Sequence, residues 1–133
     1  MKVYVLTPIH PMGLDILDRH TELVRWDDPR AAGWHDDAEG LVVRGNIPVT
    51  ADDLARARKL KAVSKHGTGV NNIDLEAARK HGVTVMNTPG INAEAVAELS
   101  MALALATSRR VVQIDRMLRA GEKVAREDVD GSK

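Results

Sequence analysis

The chain has 133 residues, 44% of them hydrophobic, which is the size and apolar content of one ordinary domain with a real core. Nineteen basic residues cancel nineteen acidic ones with no long run of either sign, and Tyr4, Trp26 and Trp34 are the only aromatics. That excludes a basic nucleic-acid face, a base-stacking platform and an anionic-membrane patch, while the absence of cysteine excludes a disulfide framework or thiolate metal site.

Val3-Tyr4-Val5-Leu6 reads as a first strand and, ending at Thr7-Pro8, is too short for the apolar centre of a signal peptide. A short helix is expected over Met12 to Arg19 and a second strand over Glu22 to Trp26. Asp27 to Asp37, with Pro29 and Gly33, reads as a loop or one ragged helix, and Leu41-Val42-Val43 as a third strand. Thr50 and Asp53 have capping-box chemistry for a helix Ala51 to Lys59. Leu60 to Ser64 is a fourth strand, Asp74 an N-cap for a helix Leu75 to His81, and Gly82 a residue able to stop that helix in a left-handed conformation. Val83 to Met86 is a fifth strand, closed by Asn87-Thr88-Pro89-Gly90. Strands alternating with helical segments predict an α/β open parallel sheet with crossover helices.

Asn92 has N-cap chemistry for a long helix. From Ala93 to Ala106 almost no polar face remains, which predicts a helix buried on several sides; from Arg109 to Leu118 the pattern becomes amphipathic and needs a partner on one face. Gly121 to Lys133 is charged and poor in apolar residues, so by itself it is expected to be disordered. The uncharged stretch Leu99 to Ser108 is half of the roughly 20 residues a bilayer span needs. A cytoplasmic protein without membrane or nucleic-acid partners is the expectation.

In an open parallel sheet ligands collect beyond the carboxyl ends of the strands. The loop His66-Gly67-Thr68-Gly69-Val70-Asn71-Asn72 stands out there, because two glycines let backbone N–H groups converge on a small anion such as a carboxylate. The local pattern is equally compatible with an ordinary tight strand-to-helix turn. It is not a dinucleotide fingerprint, since Asn72 stands where the third glycine of G-x-G-x-x-G belongs. Arg44 leaves the third strand beside Gly45, where a guanidinium could fork onto a carboxylate or phosphate; taken alone, a solvated surface arginine is the commoner outcome. His10, His35 and His81 lack the spacing of a metal site or triad and His66 reads as the end of its strand, so no metal ligand and no catalytic residue is assigned.

Several ordered segments carry a resemblance: Val43-Arg44-Gly45, Leu60-Lys61-Ala62-Val63, His66 to Ala78, Gly82 to Gly90 and Asn92 to Leu99. Together they resemble the D-isomer-specific 2-hydroxyacid dehydrogenases, D-3-phosphoglycerate dehydrogenase most of all, densely from about Leu41 to Arg110. The resemblance implies a flavodoxin-like substrate-binding domain over residues 1–98, then an interdomain helix and truncated linker over 99–133, with the Rossmann cofactor domain absent. It implies a parent enzyme that exchanges hydride between NAD and a 2-hydroxy or 2-oxo acid, 3-phosphoglycerate being one candidate. On that basis Gly67, Thr68, Gly69 and Val70 receive the substrate carboxylate, Arg44 faces its acidic groups, Thr68 lies near the nicotinamide, and Asn92 sits at the domain hinge. Asn71 stands where the family often has Asp, a departure of little weight if backbone holds the anion. The family's catalytic arginine, acid and histidine match nothing here, so the chain alone is expected to be inactive. Two further expectations are a homo-oligomer joined through the apolar helix 93–118 and, from another class, a stand-alone binding or dimerisation module.

Overall fold

Five parallel strands make one sheet: β1 (Lys2–Val5), β2 (Glu22–Val24), β3 (Gly40–Arg44), β4 (Ala62–His66) and β5 (Thr84–Met86), in the order β2-β1-β3-β4-β5. This is the flavodoxin-like doubly wound arrangement. In the computed structural model, which describes residues 1–129, the sheet belongs to the first of two units, Met1–Ile91. Parallel neighbours cannot be joined by hairpins, so each connection crosses over. The crossovers are α1 (Pro11–His20), a 3-10 segment (Pro29–Asp36) kinked at Gly33, α2 (Ala51–Arg56) and α3 (Leu75–Lys80).

The caps read from sequence are present. Thr50 Oγ1 accepts from Asp53 N at 3.2 Å while Asp53 Oδ2 accepts from Thr50 N at 2.9 Å, closing the box that starts α2. Asp74 Oδ1 accepts from Ala77 N at 2.9 Å, and Gly82 follows α3 with φ 71°. Several boundaries move, most of them by one or two residues. The helix expected to Lys59 stops at Arg56, and Leu60 is buried in the turn that follows, its N–H on Ala57 O at 3.0 Å, so β4 starts at Ala62 and runs on to His66.

Residue parity divides the sheet into two faces. Tyr4, Leu41, Val43 and Val63 face one side and share a core with Trp34 of the 3-10 segment, Leu54 of α2 and Ala77 and Ala78 of α3. Val42, Ala62, Ser64 and Met86 face the other, where they line an open groove of about 400 Å³ with Ile16 and Leu17 of α1.

The second unit begins at Asn92, ahead of α4 (Ala93–Ser108) and not within it, and continues with α5 (Val111–Arg119) and α6 (Arg126–Val129). The single helix expected over 93–118 is therefore two. Arg109 N bonds Leu105 O and Arg110 N bonds Thr107 O, tightening the last turn of α4, and Arg110 then takes a left-handed conformation (φ 53°, ψ 31°) that lets α5 pack against α4. The expected burial of α4 is also corrected, because none of its residues is buried: Leu99 is 60% exposed and Leu105 63%. Within its unit α5 is the neighbour that packs on it, and one amphipathic helix covers one stripe of an all-round apolar surface. Asn92 holds the N-cap position at φ −109° and ψ 11° but makes no side-chain capping bond. The tail is ordered further than its composition suggests: Ala125 N donates to Asp128 Oδ2 at 2.8 Å and starts α6, while residues 130–133 lie outside the described residues. No helix among the described residues is long and apolar enough to cross a membrane.

Candidate functional site

Register brings the informative loops together. Arg44 is paired with His66 at the carboxyl ends of β3 and β4, and Ser64 with Met86, so the loops after β3, β4 and β5 leave the sheet side by side. Gly67, the first residue after β4, has φ 143°, a value side-chain-bearing residues rarely adopt. The turn is then fixed from the β5 side. Gly67 N donates to Thr88 Oγ1 at 3.0 Å, Thr88 N donates to Gly67 O at 3.0 Å, and Asn87 Nδ2 donates to Thr68 O at 2.7 Å.

These bonds decide which amides remain for a ligand. Gly67 N–H is spent on Thr88, so the contribution of Gly67 is conformational. Thr68, Gly69 and Val70 N–H donate to no acceptor among the described residues, and Thr68 and Gly69 are exposed. Successive backbone N–H groups left open at a turn are the groups from which an anion-binding concavity is built. A Cβ built on Gly69 would lie 2.9 Å from Oδ1 of the exposed Asn71, so a larger residue there would have to turn that side chain aside.

The other side of the turn is tied to the loop after β3. Lys65, at a buried position of β4, donates to Gly45 O and, at 2.8 Å, to Asn72 Oδ1; Asn72 Nδ2 donates in turn to Ile47 O. Asn72 O accepts from Val49 N at 2.8 Å, and Asp74 N donates to Val49 O at 2.9 Å. Arg44 itself is exposed, and Nη1 reaches only Pro8 O at 3.4 Å, leaving most of its five donors unspent. In the loop after β1, Thr7 Oγ1 is buried with no hydrogen-bond partner among the described residues.

The strongest perturbations of ionisable groups lie at the opposite, amino end of the strands. Lys2 Nζ pairs with Asp37 Oδ2 at 2.7 Å and Tyr4 OH donates to Asp37 Oδ1 at 2.7 Å; hydrogen bonds from Lys2 and then Tyr4 hold the Asp37 carboxyl below its usual range. Asp28, clamped by the side chain and backbone of Arg30, falls to about 2. Lys2, Tyr4, Arg30 and Asp37 line an open depression of about 290 Å³ that none of the glycine-turn residues lines, and their ion pairs join surface elements.

The turn is not built as a dinucleotide fingerprint. Asn72 occupies the place of the third glycine with a side chain engaged by Lys65 and Ile47 O, where that motif needs close helix approach. Among the residues singled out from sequence, Arg44, Gly67, Thr68, Gly69 and Val70 converge at one end of the sheet, and Asn92 opens the second unit. Lys65, Asn72 and Thr88 were not assigned a place in the site. The one signal for Lys65 was parity: it follows Val63 by two and falls on the covered face of a strand.

Known proteins are similar to this chain in sequence and fold. A glyoxylate reductase of Thermococcus litoralis is 35% identical over 127 residues, covering 91% of this chain and 38% of that protein. A D-3-phosphoglycerate dehydrogenase of Methanocaldococcus jannaschii is 37% identical over 125 residues, covering 92% of the chain and 24% of the relative. The crystal structure of the TT0316 protein from Thermus thermophilus superposes with a TM-score of 0.81 at 36% identity, over 94% of this chain and 42% of that one. The chain thus spans less than half the length of the relatives it matches. With residues 3–128 matched to the model of the D-isomer specific 2-hydroxyacid dehydrogenase catalytic domain, the chain belongs to that family.

Proposed function

We propose that the Gly67–Val70 turn receives the carboxylate of a 2-hydroxy or 2-oxo acid, as the substrate-binding part of an enzyme that moves hydride between NAD and that acid. The observation that carries this reading is the set of unspent N–H groups on Thr68, Gly69 and Val70, held in place from both neighbouring loops. A carboxylate accepting them gains charge-assisted hydrogen bonds worth about 1.5–3 kcal/mol each. Arg44 supplies a second anchor, suited to a second carboxylate or a phosphate, so a substrate held at both points has its C2 carbon fixed between them. One relative is named a glyoxylate reductase and the other a D-3-phosphoglycerate dehydrogenase, which supports both a small oxo acid and a phosphorylated one.

Thr68, on the exposed side of the turn, is proposed to lie near the nicotinamide, and Asn92 at the hinge and substrate edge; both assignments rest on family resemblance. NAD supplies the hydride carrier when bound. This chain's own part is to bind and orient the acid, and no turnover is proposed for the 133 residues alone. Amide-resolved NMR titration with glyoxylate and with 3-phosphoglycerate tests the reading. Shifts confined to Thr68, Gly69, Val70 and the Arg44 loop are expected, with Arg44→Met weakening the phosphorylated acid more. Shifts scattered over the surface, or none, would overturn it.

A second reading, a stand-alone dimerisation module, is favoured by the exposed Val96, Leu99, Met101, Leu103 and Leu105 of α4. Sedimentation of the chain as a concentration-independent monomer would dismiss it.

A further inference from the structure

Lys65 is the one charged residue buried in the described core, 5% exposed, and no carboxylate forms an ion pair with it among the described residues. Burying an ammonium without a counter-charge is costly, so its retention needs local compensation. The compensation comes from two loops at once. Gly45 O accepts on the β3 side and Asn72 Oδ1 at 2.8 Å on the turn side, 20 and 7 residues away along the chain. Its Cε also lies 3.9 Å from the Cβ position of Gly67, which places the aliphatic stem against the first residue of the turn.

We infer that Lys65 is a positioning residue: its buried ammonium locks the Arg44–Ile47 loop to the Gly67–Asn72 turn, so that the backbone amides and the guanidinium present one preformed anion site. Two consequences distinguish this from core filling. The lock is specific to hydrogen-bonding cations, so arginine restores it where methionine does not. Its loss loosens one end of the sheet while the strand centres keep their order.

The inference rests on the proposed carboxylate site for its consequence in binding, but the lock itself is testable without ligand. Amide hydrogen exchange on the full chain is compared for the unsubstituted protein, Lys65→Met, Lys65→Arg and Asn72→Ala. Protection at Val49 N and Asp74 N, which join the two loops, is expected to fall at least roughly tenfold in Lys65→Met and Asn72→Ala, each of which removes two hydrogen bonds. Protection of the ladder amides between β3 and β4 should stay unchanged, and Lys65→Arg should recover most of the loss. Oxalate titrations followed at Gly69 and Val70 should weaken in the same order. Unchanged protection at Val49 and Asp74, or an equal loss throughout the sheet, would overturn the inference. Should Lys65→Met not fold, Lys65→Gln, which keeps a polar end but lacks the charge and the reach to both acceptors, decides in its place, because Asn72→Ala also removes the bond to Ile47 O. Absence of oxalate binding to the unsubstituted chain would count against the carboxylate site and leave the exchange result to judge the lock.

Discussion

Gly67 and Thr88 bind each other twice: the glycine N–H donates to the threonine hydroxyl at 3.0 Å, and the threonine N–H returns to the glycine carbonyl at 3.0 Å. The pair welds the turn after β4 to the exit of β5. It is the reason that Thr68, Gly69 and Val70, and not Gly67, carry the amides open to a ligand.

Thr88→Val keeps the shape of the side chain but removes the acceptor for Gly67 N–H. The freed amide and looser turn should weaken carboxylate binding by roughly three- to tenfold, the range for one neutral hydrogen bond. Isothermal titration of glyoxylate or oxalate measures this; Thr88→Ser, which retains the hydroxyl, should bind like the unsubstituted chain.

Gly67→Ala separates conformation from space. The added Cβ would meet only Lys65 Cε at an ordinary 3.9 Å, so crowding is not the obstacle. The obstacle is φ 143°, which costs a side-chain-bearing residue about 1–3 kcal/mol. Urea unfolding should show a loss of that order with an unchanged slope, and a loss of less than a few tenths would mean that the turn readily relaxes.

Arg44→Lys keeps a charge but not a planar fork. If the guanidinium grips a phosphate or second carboxylate in two places, lysine should lose most of the added affinity for 3-phosphoglycerate while glyoxylate binding stays within about twofold. Equal effects on the two acids would place Arg44 outside the second anchor.

His35 Nε2 lies 2.8 Å from Asp53 Oδ1, linking the 3-10 segment to α2. Burial raises the Asp53 carboxyl, but hydrogen bonds from His35 and from the Thr50 backbone and hydroxyl outweigh it, so the group lies below its ordinary 3.8. The folded state therefore releases the proton more readily than the unfolded chain. The stability this contributes is complete above the unfolded value and is lost as pH falls through the folded one. Thermal melting from about pH 5 down to about pH 3 should show a shallower decline for Asp53→Asn than for the unsubstituted chain. The substitution should also lower the melting temperature near neutrality, since the capping box loses part of its carboxylate.

The alternation of strands and helices, the Thr50–Asp53 box, the Asp74 cap and the stop at Gly82 were all legible in the sequence, because each rests on short-range pattern or on groups within about four residues of one another. The glycine turn and Arg44 were legible too, since both stand at strand ends, where an open parallel sheet gathers its loops. What the turn offers a ligand was decided only by the tertiary structure. Gly67 and Thr88 lie 21 residues apart and Lys65 and Gly45 lie 20 apart, so neither contact exists until the registers of β3, β4 and β5 bring them together. The same holds at α4 and α5. Hydrophobic periodicity runs on across Arg109 and Arg110 with no glycine or proline to interrupt it, and only the left-handed backbone at Arg110, held as α5 folds against α4, turns one expected helix into two.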